Sequence, residues 1–180
     1  VEEVKKDNEN WLVKTSSGKI FLTPNIVIAG GVGSFEPRKF SPEGCEKFEN
    51  KSLFYMVKDK AKFDGKIVTI FGGGDSALDW AVELSKNSKV NLVHRREEFR
   101  GAQSTVDNVH ELAKAGKINL YTKYQMLSVN GSKSIESIEI KHDNNEIKNI
   151  KTDYVLGFFG LIMQLGPIAN WGLNINKKTI

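Results

Sequence analysis

The sequence predicts an α/β fold in which a parallel sheet carries a smaller antiparallel β-meander and is flanked by pieces of a second domain. Three observations predict it. An apolar β-branched run, a glycine-rich turn and a helical pattern follow one another over residues 66–85. A further strand pattern comes next, at residues 89–93. Short strand-and-turn patterns appear twice, once near the start of the chain and once after residue 130.

The two strand-and-turn patterns form an internal repeat. In the first copy, WLVKTSS and KIFLTPNIVIAGG are predicted strands around a turn at Ser17 and Gly18, and EEVKK supplies a third strand. In the second copy, SIESIEIKH, a turn at residues 143–145 and EIKNIKTDYVLGFFG follow the same plan. A β-α-β start precedes the second copy and nothing precedes the first. We therefore expect the first domain to be truncated.

Stretches rich in Pro, Gly and Ser set the expected boundaries. SFEPRKFSPEG follows the first copy and QLGPIANWG follows the second, and both are typical of linkers. We expect residues 1–51 to end one part of a domain and include a linker. Residues 52–160 are then an intact middle domain, and residues 161–180 lead back to the first domain.

Composition narrows the class of protein. The net charge of +4 favours an anionic partner, such as a phosphate ligand, an acidic protein or nucleic acid. Cys45 is the only cysteine, which excludes an internal disulfide and any CxxC pair within this chain. The histidines are too scattered to suggest a metal site. No apolar run reaches the roughly 18 residues that cross a bilayer, and the start does not resemble a signal peptide, so we expect a cytoplasmic protein without a membrane partner.

The turn between the first strand and the helix fits the pattern G-x-G-x-x-A. Its residues are Gly72, Gly73, Gly74, Asp75, Ser76 and Ala77. The first glycine permits a tight turn, the third lets a pyrophosphate approach the backbone, and the alanine lets the helix pack close to the strand. The helix N-terminus offers N–H groups to phosphates, and we expect Asp75 or Ser76 to cap it. The flanking strands and helix favour a Rossmann-like dinucleotide site over a turn that merely joins two elements.

Three arginines follow the second strand, where the adenosine ribose lies in such a domain. Sites for NAD or FAD place an acid there, about 20 residues after the glycines, whereas this chain has His94, Arg95 and Arg96. Guanidinium groups bind a 2′-phosphate through paired, charge-assisted hydrogen bonds. Arg100 reaches the same site if residues 97–100 begin a helical turn. The pattern predicts NADP(H) as the ligand, with His94 lining the adenosine pocket. A solvated charged face is the alternative, which the two glutamates after Arg96 favour.

Four stretches of the sequence together resemble one enzyme family. They are GGGDSALDWAVEL, VHRREEFR, VIAGGVGSFEPRK and LGPIANWGL. They resemble the flavin-dependent ferredoxin/flavodoxin–NADP reductases built like bacterial thioredoxin reductase, and the resemblance covers nearly all 180 residues. Thioredoxin reductases carry a redox CxxC just before the NADP-domain strand. This chain has SLFYMVKDKAKFDGK there, without cysteine, which favours the ferredoxin-type branch.

The resemblance implies an FAD domain interrupted by an NADP domain, which agrees with the expected layout. In that family NADPH gives a hydride to FAD, and FAD passes single electrons to ferredoxin or a flavodoxin. The resemblance also implies that Arg95, Arg96 and Arg100 hold the 2′-phosphate, that Val1 and Phe35 contact FAD, and that the full-length parent is a homodimer. The family's N-terminal glycine motif and C-terminal Gly-Asp segment are absent here. We therefore expect this chain to be inactive in isolation and to bind FAD poorly or not at all, and we predict no catalytic residue.

Other functions remain open from the residues alone. The chain can be a non-catalytic NADP(H)-sensing module or a thioredoxin-reductase-like protein without the redox cysteines. Nucleic-acid binding is a further alternative, with the lysines at positions 58, 60, 62 and 66 as a phosphate-tracking patch. No recognisable RNA or DNA motif accompanies these lysines. We therefore expect a solvated surface or a docking site for an acidic ferredoxin, and no nucleic-acid partner.

Overall fold

The computed structural model describes residues 1–30 and 33–175. Its strands are β1 (Glu3–Asp7), β2 (Asn10–Lys14), β3 (Ile20–Thr23), β4 (Ser34–Pro37), β5 (Leu53–Phe54), β6 (Ile67–Gly72), β7 (Lys89–His94), β8 (Ile118–Thr122), β9 (Tyr124–Gly131), β10 (Ile135–His142), β11 (Ile147–Lys151), β12 (Tyr154–Phe158) and β13 (Leu161–Gln164). The α-helices are α1 (Asp75–Leu84) and α2 (Gln103–Lys114). Short 3₁₀ turns lie at Cys45–Phe48, Ala61–Phe63 and Gly166–Asn170.

The chain divides into two compact units. Val1–Glu36 and Leu161–Ile180 make up the first, and Pro37–Gly160 makes up the second. Residues 37–51, which the sequence grouped with the first domain, therefore pack with the second unit. The reason is apolar burial, because Cys45 and Phe48 are only 2% and 5% exposed and lie in the second unit's core.

The first unit contains two small sheets. Strands β1, β2 and β3 form an antiparallel sheet, and β13 pairs with β4. The predicted turn at Ser17 and Gly18 is confirmed, since Gly18 has a φ of 79° and its N–H donates to the Thr15 carbonyl at 2.9 Å. Within the predicted strand KIFLTPNIVIAGG, the closing part over residues 25–31 is wrong for residues 25–30, where no strand forms, and Gly31 lies outside the described residues. Apolar residues supply strand propensity there, but no described strand pairs with them.

The second unit is built on a parallel sheet of five strands in the order β5-β12-β6-β7-β8. Strands β9, β10 and β11 form a separate antiparallel meander. The predicted fold class, a parallel sheet with a β-meander, is confirmed. One detail differs, because the apolar run that the sequence joined to the meander divides before β12. There Asp153 donates its N–H to the Ile67 carbonyl at 2.8 Å and accepts the Ile67 N–H at 2.8 Å, which starts β12 beside β6.

Alternating side chains of the parallel sheet enter two cores. Val68, Ile70 and Leu92 are fully buried in the core that contains the inner faces of α1 and α2. Phe71 and Val93 lie in the other core, together with buried isoleucines of the meander. The second unit thus has three layers, helices on one face of the sheet and the meander on the other, and the period of two along each strand explains the division.

A row of hydrogen-bonded polar side chains crosses the sheet, in which Thr69, Asn91 and Thr152 are buried and Asn119 is exposed. Thr69 donates its hydroxyl proton to Thr152 at 2.9 Å, Asn91 donates its amide to Thr69 at 3.2 Å, and Asn119 donates to the Asn91 oxygen at 2.9 Å. Thr152 in turn donates to the Tyr154 carbonyl at 2.9 Å. Every member of the row therefore has a partner, which is the condition for burying polar groups without a large cost.

Candidate functional site

The carboxyl ends of three parallel strands border one cavity of about 720 Å3 in the second unit. Gly72 ends β6, His94 ends β7 and Phe158 ends β12, and all three line the cavity. The C-terminal edge of a parallel sheet is where open α/β folds bind ligands. Seven of the predicted site residues line the cavity, namely Gly72, Gly73, Gly74, His94, Arg95, Arg96 and Arg100, whereas Asp75, Ser76 and Ala77 do not.

The first glycine of the loop is required by close packing. Gly72 has a φ of 152°, and a Cβ placed on it would lie 2.7 Å from both the Ala77 Cβ and the Phe158 carbonyl oxygen. Ala77 itself is fully buried in the core beneath α1. The small residues at these two positions therefore let α1 begin directly against the ends of β6 and β12.

The other two glycines face different surroundings. A Cβ on Gly73 would overlap the imidazole of His94, so the histidine requires a glycine there. A Cβ on Gly74 would meet no atom within 4 Å. The backbone of Gly74 is extended, with φ −102° and ψ −179°, which any residue adopts. Nothing in the protein itself therefore demands glycine at position 74, and a bare backbone there suits the close approach of a bound group.

The N-terminus of α1 carries no side-chain cap. Gly74 occupies the cap position, so the expected cap by Asp75 or Ser76 is wrong, because both residues lie inside the helix. Ser76 is exposed. Asp75 instead accepts the N–H of Ala102 at 2.8 Å, at the start of α2. The first N–H groups of α1 receive no side-chain cap, and Gly74 at the cap position lines the cavity, which suits a phosphate.

His94 is a packed residue. Its Nε2 lies 3.1 Å from the Glu98 carbonyl oxygen, and its ring stacks on Phe99 with centroids 5.1 Å apart. Burial lowers the pKa of His94, and the nearby charges of Arg95 and Arg100 lower it as well, against the opposing effect of the hydrogen bond to Glu98. The lowered pKa favours the neutral imidazole. Its contacts with Glu98 and Phe99 stabilise the turn after β7.

The three arginines line the same cavity as the glycine loop. Arg95, Arg96 and Arg100 are all exposed and all border it. The expected helical turn at residues 97–100 is wrong, since these residues form an irregular bend and α2 begins only at Gln103. Arg100 returns by another route, because its N–H donates to the Gly73 carbonyl at 2.7 Å. A tertiary hydrogen bond, not helical periodicity, brings Arg100 back to the loop.

The charges around this cavity are of one sign. Arg38 and Lys39 line it together with the three arginines, and none of its lining residues in the described chain is an aspartate or glutamate. Glu97, which the charged-face alternative used to offset the arginines, instead pairs with Lys123 at 2.7 Å. The cavity is therefore suited to a ligand with several negative charges.

A segment before β5 supplies another wall of the cavity. Residues 38–42, which we call the 38–42 segment, all line it. Phe40 of this segment donates its N–H to the Tyr55 hydroxyl at 3.1 Å. Burial raises the pKa of Tyr55 to about 12, so the hydroxyl stays protonated and donates to Glu49 at 3.2 Å. Sequence reasoning assigned these residues to a linker, and the only local signal was an aromatic residue beside two basic ones in PRKF.

A second cavity of about 480 Å3 lies within the first unit. Val1, one of the two expected FAD contacts, lines it, whereas Phe35 does not and is 56% exposed on β4. Trp171 also lines it and has a buried indole N–H without a partner among the described residues. No described lining residue has a charged side chain, so the cavity suits an aromatic part of FAD but offers no cationic side chain to its pyrophosphate. The residues present do not hold the complete group.

The remaining candidate residues make contacts within the protein. Lys60 pairs with Glu83 at 2.7 Å, and the Lys62 ammonium lies 4.2 Å from the centroid of Phe54. These contacts account for two of the four lysines in the nucleic-acid alternative. Burial raises the pKa of the Cys45 thiol to about 11, which leaves it unreactive.

The described residues contain neither a cluster of metal ligands nor a helix suited to crossing a membrane. No group of three or more potential ligands could hold a metal ion within residues 1–30 and 33–175. Over the same part of the chain, neither helix has the length and apolar character needed to cross a bilayer.

This chain is similar to known proteins both in sequence and in fold. The chain is 66% identical over 180 residues to a protein named ferredoxin–NADP reductase from Pelagibacter ubique, covering 100% of this chain and 53% of that one. It is 46% identical over 177 residues to one of the same name from Flavobacterium johnsoniae, covering 98% of this chain and 50% of the relative. The chain thus spans about half the length of these relatives.

The solved structures agree on the fold. A thioredoxin reductase from Lactococcus lactis superimposes with a TM-score of 0.80 at 22% identity, over 98% of this chain and 57% of that one. The family model described as pyridine nucleotide-disulphide oxidoreductase matches residues 1–180. The chain therefore belongs to the pyridine nucleotide-disulphide oxidoreductase family.

Proposed function

We propose that the second unit is the NADP(H)-binding domain of a ferredoxin–NADP reductase. In the longer protein it positions NADPH for hydride transfer to FAD, and FAD passes the electrons to ferredoxin or flavodoxin. The observation that carries the proposal is that one cavity is lined by Gly72–Gly74, the last of which is the N-cap of α1, and by three arginines, with no acidic lining residue in the described chain.

Each part of NADP(H) has a matching group in this cavity. The backbone from Gly72 to Gly74 and the first N–H groups of α1 would hold the pyrophosphate. Arg95, Arg96 and Arg100 would hold the 2′-phosphate through charge-assisted hydrogen bonds. When bound, NADPH supplies the hydride. The protein's own contribution is to bind and orient it, which is why no acid, base or nucleophile is assigned.

The relatives' name supports the wider function. Proteins called ferredoxin–NADP reductase match this chain over about half of their length, with 66% and 46% identity. On this basis we assign the first unit to part of the FAD domain. We also propose a homodimeric, cytoplasmic parent, as the family resemblance and the sequence composition lead us to expect. Because the cavity in the first unit does not hold all of FAD, we expect the isolated chain to bind NADP(H) but not to reduce an acceptor.

The proposal is tested by calorimetric titration of this chain with NADP+ and NAD+. We expect NADP+ to bind about 10- to 100-fold more tightly, because the arginines recognise only the extra phosphate. The double variant Arg95→Ala, Arg96→Ala should lose that preference and keep its NAD+ affinity within about twofold.

The matched control removes two positive charges away from the cavity, in the variant Lys58→Ala, Lys89→Ala. It should retain the NADP+ preference, because neither lysine lines the cavity. Equal affinity of the wild-type chain for the two nucleotides, or an unchanged preference in the arginine variant, would contradict the proposal.

A further inference from the structure

The order of the strands gives the cavity two distinct ends. The glycine loop follows β6, the arginines follow β7 on one side of it, and β12 lies on the other side. If the function proposed above is correct, a dinucleotide on the loop has its 2′-phosphate at the arginines. Its nicotinamide half then extends towards the end of β12, because it leaves the pyrophosphate in the opposite direction.

The 38–42 segment forms the wall at that end. The ring of Phe40 meets Phe71 and Phe159 edge to face, with centroids 5.1 Å and 4.8 Å apart. A Cβ on Gly157, within β12, would lie 2.7 Å from the Phe40 ring. Glycine at position 157 therefore admits the phenyl ring, and the ring fixes the segment beside the strand end.

Two residues outside the cavity hold this segment in place. The Tyr55 hydroxyl accepts the Phe40 N–H at 3.1 Å and donates to one oxygen of Glu49 at 3.2 Å. The other oxygen of Glu49 accepts from the Lys39 ammonium at 2.8 Å. One hydroxyl and one carboxylate thus fasten two consecutive residues of the segment. Neither Tyr55 nor Glu49 lines the cavity itself.

We propose that Tyr55 and Glu49 are positioning residues for the nicotinamide half of NADP(H). They keep residues 38–42 at the distance from the β12 end that the bound nicotinamide needs. The 2′-phosphate end lies across the glycine loop, so their loss weakens the grip on one half of the ligand only. Selectivity for the 2′-phosphate and orientation of the nicotinamide are then properties of separate residues.

The test uses two ligands that differ in which end they occupy. NADP+ fills both ends, and adenosine 2′,5′-bisphosphate carries the 2′-phosphate without the nicotinamide half. In calorimetric titrations of this chain, Tyr55→Phe should raise the Kd for NADP+ by about 3- to 10-fold, the value of one or two hydrogen bonds. The Kd for adenosine 2′,5′-bisphosphate should stay within about twofold of wild type.

Two further variants separate positioning from general stability. Glu49→Ala removes the acceptor of the Tyr55 hydroxyl and should weaken NADP+ binding as Tyr55→Phe does. Glu49→Gln keeps an oxygen for that hydroxyl but loses the carboxylate oxygen that accepts from Lys39, so it should recover part of the affinity. Tyr121→Phe is the matched control, because its hydroxyl makes no hydrogen bond in the described chain and the residue does not line the cavity.

Three outcomes would overturn the inference. They are equal weakening of both ligands, unchanged binding of both ligands in Tyr55→Phe, and a Glu49→Gln variant as weak as Glu49→Ala. Failure of the wild-type chain to bind adenosine 2′,5′-bisphosphate is a different result. It would overturn the proposed function, and the inference with it.

Discussion

Both units carry a three-stranded antiparallel meander, but only the second meander buries an apolar face. Ile135, Ile138 and Ile140 on β10 are at most 3% exposed, whereas Ile20, Phe21 and Leu22 on β3 are 61%, 53% and 60% exposed. The second meander packs with residues of the parallel sheet, including Phe71 and Val93. The local sequence pattern is therefore sufficient to form strands, whereas a facing layer decides which of their side chains are buried.

The strongest test of this difference is to truncate one side chain in each meander. Ile138→Ala should destabilise the second meander by about 2–5 kcal/mol, because Ile138 is fully buried and leaves a cavity. Leu22→Ala in the first meander should cost within about 0.5 kcal/mol, since most of its side chain is already in solvent. Amide hydrogen exchange measured by mass spectrometry reports residues 10–23 and 124–151 separately. Equal changes in the two segments would show that the facing layer does not set the difference.

The polar row of the second unit should make a smaller contribution. Asn91→Ala removes an acceptor from Asn119 and a donor to Thr69, so we expect a loss of about 1–3 kcal/mol in the free energy of unfolding. Asn149→Ala on the exposed face of β11 is the matched control and should be close to neutral. Urea unfolding followed by circular dichroism gives both values. If the two variants are equally stable, the row contributes no net stability.

The smallest effect is a histidine-dependent change of stability with pH, which only the second unit can show, since residues 1–36 and 161–180 contain no histidine. The folded-state pKa of His94 lies below its unfolded value, so between the two values the unfolded chain binds more protons. Its contribution is therefore complete above about pH 6.5 and falls as the pH drops below that value. Urea unfolding from pH 5 to 8 should show a slope, of at most one proton, that His94→Gln removes. A wild-type slope that persists in the variant would rule out His94 as its source.

Local patterns in the sequence were enough to predict the centre of the second unit. The run from β6 through the glycine loop and α1 to β7 is encoded within about 30 consecutive residues, as in other dinucleotide folds. The prediction of a strand at residues 25–30 was wrong because a strand also needs a neighbouring strand to pair with. The start of β12 was missed because it depends on the pairing of Asp153 with Ile67, which are far apart in sequence.

The candidate site shows the same limit. The three arginines were found from their position after β7, but the route by which Arg100 returns depends on a backbone bond to Gly73. Asp75 was expected to cap its own helix, and it binds Ala102 instead. The contribution of the 38–42 segment and of Tyr55 to the site could not be predicted from the sequence. No short-range pattern connects Phe40 to the strand ends that it contacts.

The polar row also fixes the register of the parallel strands β6 and β7. A one-residue slip of β6 against β7 would turn Thr69 and Asn91 to opposite faces, where their amide and hydroxyl groups would lose their partners among packed hydrocarbon. The observed register of β6 and β7 is therefore favoured over registers shifted by one residue. Because β6 ends at Gly72 and β7 ends at His94, this register also sets the relative positions of two residues that line the cavity.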